Sequence, residues 1–190
     1  MGRARASILA RAGALALVAV TAGGCGSGAG SGRPATAAQR TALAGYLRQL
    51  EPLRLAVNRL LEGADPILSG AHEHKLSHHQ AAQRMGALER RFAAYAVDIA
   101  AIEPASGKLR SLQATYAHTY VLEDSYLSAL TLGLQEGEFD DLPNTQSEQR
   151  AAIIQWRMGL EVLARRLGYR LPSDLQVAGR GEIRPSPDGS

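Results

Sequence analysis

Residues 77–103, SHHQAAQRMGALERRFAAYAVDIAAIE, decide the fold class. Met85, Leu88, Phe92, Tyr95, Ile99 and Ile102 recur at spacings of three and four, so they fall on one face of a helix. Ser77 stands just ahead of this run with Gln80 three residues on, the pattern of a capping box. Pro104 forces a stop at the other end. A helix with one apolar face must bury it against something, and the neighbouring sequence offers more helices of the same kind.

Downstream, residues 105–135 carry Leu109, Leu112, Tyr116, Tyr120, Glu123, Leu127, Leu130 and Leu134 in one stripe, with Gly137 to end it. Residues 145–167 repeat the design. Thr145 and Glu148 read as a capping box, Ile153, Trp156, Leu160, Leu163 and Leu167 as the stripe, and Gly168 as the residue beyond the helix. Upstream, residues 36–62 carry Leu43, Tyr46, Leu50, Leu53, Val57 and Leu60, widened by Leu47 and Leu61. Thr36 and Gln39 suggest its capping box, Pro52 a kink or break near Arg48, and Gly63 and Asp65-Pro66 its end. No stretch alternates with period two, and no hairpin signal occurs. The expectation is an all-α fold: an antiparallel four-helix bundle over residues 36–168 in up-down-up-down order, followed by an irregular tail, 169–190, on the surface.

The amino terminus has another character. Residues 1–24 hold Arg3, Arg5 and Arg11 and then an uncharged apolar run, 12–22, too short to span a bilayer. Ala22-Gly23-Gly24-Cys25 follows, and Cys25 is the one cysteine of the chain. This run resembles the lipobox of bacterial lipoproteins, with Ala22 where that family prefers Leu. The resemblance covers the first 26 residues. It implies a signal peptide over 1–24, cleavage before Cys25 and a diacylglyceryl lipid on the Cys25 thiol. It also implies attachment to the extracytoplasmic face of the cell membrane. Residues 25–35, rich in Gly and Ser, read as a flexible tether. A single cysteine excludes an internal disulfide and a Cys-rich zinc site.

The formal charge of +3 misleads. Of 21 Lys and Arg, Arg3, Arg5 and Arg11 precede Cys25, which leaves 18 against 18 Asp and Glu. A near-neutral mature chain lacks the concentrated basic face that nucleic acid requires, so no nucleic-acid partner is expected.

Two features carry candidate chemistry. His72, His74, His78 and His79 are four of the chain's five histidines and fall within residues 72–79. They are candidate ligands for a divalent metal, although a solvated loop (His72, His74) running into a helix start (His78, His79) gives the same pattern. Glu123 lies in the core stripe, where a carboxyl must be paired, hydrogen-bonded or neutral. Tyr116, Tyr120 and Tyr126 are its candidate donors and Arg157 its candidate ion partner. The chain has no Glu-x-x-His for a di-iron bundle, no C-x-x-C-H for haem and no G-x-S-x-G, P-loop or H-E-x-x-H motif. His118 is only a weak candidate for an axial haem ligand. Glu136, Glu138, Asp140 and Asp141 lack the spacing of a calcium loop. The expectation is a membrane-tethered domain that binds an envelope protein or small ligand. The rivals are a metal-binding lipoprotein using the histidines and an envelope enzyme built around Glu123.

Overall fold

The computed structural model describes residues 32–139 and 146–176. The expected signal peptide, Cys25, most of the expected tether, Thr145 and residues 177–190 lie outside them. Within the described residues the chain is helical, with no strand. Four long helices, α1 (Gly32–Leu61), α3 (His78–Ala100), α4 (Gly107–Glu136) and α5 (Gln146–Leu167), are joined by a short one, α2 (Asp65–His72). A single 3-10 turn, Ser173–Leu175, follows.

The apolar stripes meet in one core. Leu43, Tyr46, Leu50, Val57, Met85, Leu88, Phe92, Ile99, Leu109, Leu112, Leu127, Leu130, Trp156 and Leu160 are all buried in it. Tyr95, Leu53 and Leu163 are half-buried and pack against it. The most extensive contacts join α3 to α4 and α4 to α5.

The helix ends follow local chemistry. Ser77 caps α3, its Oγ accepting from the Gln80 amide, while the Gln80 side chain accepts from the Ser77 amide. Gly137 adopts φ 79° beyond α4, and Gly168 φ 58° beyond α5, as expected of residues that close helices in the left-handed region. The start of α4 is set by Ser106, whose Oγ accepts from the Leu109 amide.

Several expectations need correction. The first helix starts at Gly32, so Thr36 lies inside it rather than capping it, and the helix takes up the end of the expected tether. Pro34 is tolerated there because first-turn amides have no intrahelical partner. The helix also runs unbroken through Pro52. Pro52 and Arg48 both face solvent, so water can satisfy the carbonyl that the proline leaves without a donor. Asp65-Pro66 opens a new helix instead of a loop, since proline is well suited to a first helical position. His72 therefore ends α2. Finally, the packed region continues past residue 168. Leu171 and Leu175 are buried, and Asp174 pairs with Arg54 of α1, which also bonds Glu51.

A buried polar thread crosses all four long helices. Trp156 Nε1 in α5 donates to the Tyr46 hydroxyl in α1 at 3.2 Å. That hydroxyl donates to Gln113 Oε1 in α4 at 2.9 Å, and Gln113 Nε2 donates to the Ile99 carbonyl in α3 at 2.5 Å. Burial raises the Tyr46 phenol well above its usual range, so it stays a neutral donor.

Candidate functional site

On α4, residues 116, 119, 120 and 123 project from one side of the helix toward α1, α3 and α5. They help line a cavity of about 30 Å³. Val57, Asn58 and Leu61 of α1, Phe92 of α3, and Gln149, Ile153 and Trp156 of α5 complete it. Its walls are largely aromatic. Tyr116 stacks on Trp156 with ring centroids 4.1 Å apart, and Phe92 stacks on Tyr120 at 5.5 Å. Tyr116 and Tyr120 meet edge to face at 5.3 Å, and their hydroxyls share a hydrogen bond of 3.0 Å. Burial, then the Tyr120 neighbour, pushes the Tyr116 phenol up, so it too stays neutral.

Glu123 supplies the one carboxyl of this lining and is 2% exposed. Its Oε2 accepts from Gln149 Nε2 at 2.6 Å. Its Oε1 is buried and has no hydrogen-bond partner among the described residues. Burial pushes the carboxyl up to about 7, with the Gln149 bond pulling the other way. At neutral pH the group is therefore poised between acid and carboxylate. Such a group can accept a hydrogen bond, carry a counter-charge for a cation, or exchange a proton.

The partners differ from those expected. Gln149, not Arg157 or a tyrosine, holds Glu123. Tyr116 and Tyr120 bond each other, and the Tyr126 hydroxyl is buried without a hydrogen-bond partner among the described residues. Gln149 carried a readable signal, because it extends the stripe of Ile153 and Trp156 back by one turn. Gln113 likewise adjoins Leu112 on the buried face of α4.

The histidines do not converge. The His72 ring lies edge-on to Phe139 at 4.8 Å, with Nδ1 3.0 Å from the Leu68 carbonyl. His78 packs against Gly137, and His74 adopts a left-handed φ of 55°. Among the described residues, no three of His, Cys, Asp and Glu stand together as a metal site. His118 faces Glu148 across an exposed gap of 3.5 Å. No described helix is long and apolar enough to cross a membrane.

No protein-family model matches the chain, and no curated protein or solved structure matches it either. The fold and the cavity therefore carry the functional argument.

Proposed function

We propose that the chain is an exported, lipid-anchored lipoprotein whose domain binds a small ligand at the outer face of a membrane. The domain is an antiparallel four-helix bundle in up-down-up-down order. Contacts between Ile99 and Gln113 and between Gly86 and Thr131 support opposite directions for α3 and α4. Contacts between Thr119 and Gln149 and between Leu112 and Gly159 do so for α4 and α5. The lipobox-like run ending at Cys25 supports the anchor. Its two acyl chains suffice for stable attachment at about 0.8 kcal/mol per buried methylene.

The observation that carries the binding reading is the Oε1 of Glu123, buried without a hydrogen-bond partner among the described residues, in the lining of an aromatic-walled cavity. Ligand pockets, usually of about 300–1,000 Å³, combine apolar walls with a few convergent polar groups; this cavity has the same make-up on a scale that admits only very small molecules. Trp156 is the chain's one tryptophan and sits in the wall, so its fluorescence reports entry. A screen of organic fragments small enough for the cavity, with about two or three heavy atoms at most, is expected to find saturable changes in Trp156 emission. Ile153→Phe, which fills the cavity, should abolish them while the helical circular dichroism persists. Wild-type protein that answers no fragment, or a variant that answers like wild type, would overturn this reading. A second reading, an envelope enzyme, draws on the titration of Glu123 near neutrality, which suits a general acid or base.

A further inference from the structure

The lining of the cavity says which kind of small molecule it suits. We infer, resting on the ligand-binding reading above, that the cavity takes a small organic ammonium ion, its head on Glu123 Oε1 and its carbon body against the aromatic walls. Three features converge on this chemistry. The buried carboxyl already gives one oxygen to Gln149, and the other is unused among the described residues. A carboxylate in this position, when ionised, is a buried charge that only a counter-charge or donor offsets. No cationic side chain lines the cavity among the described residues; the buried Arg54 acts on Tyr116, while the causes of the Glu123 shift include no cation.

The walls select among cations. Trp156 with Tyr116, and Phe92 with Tyr120, cover one face of each other by stacking; ring surface left open to the cavity attracts an ammonium group through the ring quadrupole and shelters its carbon from water. A divalent metal ion is poorly served, since calcium takes six or more oxygen ligands and magnesium an octahedron. Anions are repelled by the carboxylate. The small volume favours a short ion over a polyamine or a peptide amino terminus.

Binding an ammonium ion requires the carboxylate form. The ionisable groups around Glu123 are Tyr116 and Tyr120 in the lining and Tyr126, whose phenol burial and then Glu123 push up; all three lie on its own helix. The residues that α1, α3 and α5 contribute, Asn58, Phe92 and Gln149 among them, do not titrate. The amine stays protonated well above neutral pH. Affinity for it therefore follows the ionisation of Glu123.

The test uses the full chain, with methylammonium chloride, methanol and potassium chloride as probes, small enough for a cavity of about 30 Å³, and Trp156 emission as readout. The expected result is saturable binding of methylammonium, at least about tenfold tighter than methanol, with no response to potassium chloride. Glu123→Gln should erase the tenfold preference. Should that variant not fold, pH serves on the wild type: affinity for the amine should fall about 100-fold from pH 8 to pH 5, while that for the alcohol stays level. Equal affinity for amine and alcohol would overturn the ammonium inference and leave the ligand-binding reading standing. A response to potassium chloride matching that to the amine would overturn the organic part. If fragments of other chemistry bind and the amine does not, only the inference fails. Silence of Trp156 toward every probe and fragment sinks both.

Discussion

Gln149 is hydrogen-bonded to Glu123 across the α4–α5 interface, Nε2 to Oε2 at 2.6 Å, and it bonds the Thr119 carbonyl from the same nitrogen at 3.2 Å. One amide thus holds the carboxyl in place and satisfies one of its oxygens. It does not supply a charge. The carboxyl is positioned but not neutralised, so the burial that raises its proton affinity is only partly opposed by the Gln149 bond.

Stability is expected to fall as pH rises through this group's titration. The folded carboxyl titrates near 7 and the unfolded one near 4.5. Between these values the folded state holds a proton that the unfolded state has released, so stability is full below the lower value and lost by the upper. The loss is up to about 3 kcal/mol. Asp124, raised by burial and then by Glu89, adds a change of the same sign. The difference between wild type and Glu123→Gln isolates Glu123. Urea melts from pH 4 to 8 should show the steeper decline in wild type, and parallel profiles would refute it.

Leu160 is wholly buried among the stripes of the long helices. Leu160→Ala is expected to cost about 2–5 kcal/mol through lost contacts and a residual cavity. Denaturant melts measure this directly. A silent substitution would mean that α5 does not pack as described.

Cys25→Ser is expected to abolish lipid labelling and to move the protein from the membrane to the soluble exported fraction. No described helix offers an alternative span. Fractionation with an acyl label checks it, and unchanged membrane retention would exclude the thiol anchor.

Changing His72, His74, His78 and His79 together to Gln is expected to cost little stability and to leave zinc and copper binding weak and non-stoichiometric. His72 packs on Phe139 and His78 on Gly137, and among the described residues no three potential ligands stand together. A zinc site needs its nitrogens within about 2.1 Å of one ion, held by further hydrogen bonds. Isothermal titration decides: one-to-one binding tighter than micromolar, lost in the variant, would establish a metal site.

Much of the fold is legible in the spacing of Leu, Tyr and Phe, because each long helix buries one continuous stripe. Ser77 with Gln80, Gly137 and Gly168 mark ends by local rules that tertiary context left intact. Reading fails where a residue has two uses. Pro52 signals a break in isolation, yet on an exposed face its missing donor is tolerated. Pro66 signals an end and also a beginning, and here it begins α2. Leu171 and Leu175 follow a helix-ending glycine and carry no periodicity, so their burial is decided by a long-range contact. For the site, Glu123 stands out as the acid in an apolar stripe. Its partner does not, because choosing Gln149 over Arg157 requires the relative rotation of α4 and α5.

The thread from Trp156 through Tyr46 and Gln113 to the Ile99 carbonyl has a bearing on uniqueness. Leucine stripes are nearly self-similar from turn to turn, so two such helices can slide past each other by about 5.4 Å and still find apolar partners. Hydrogen bonds of fixed length do not survive such a slide. With one member on each long helix, the thread acts as a vernier: it sets where every helix stands along its axis relative to the other three. A slipped arrangement would leave buried donors and acceptors unmatched, each at about 1–3 kcal/mol, and the chain is thereby confined to a single register.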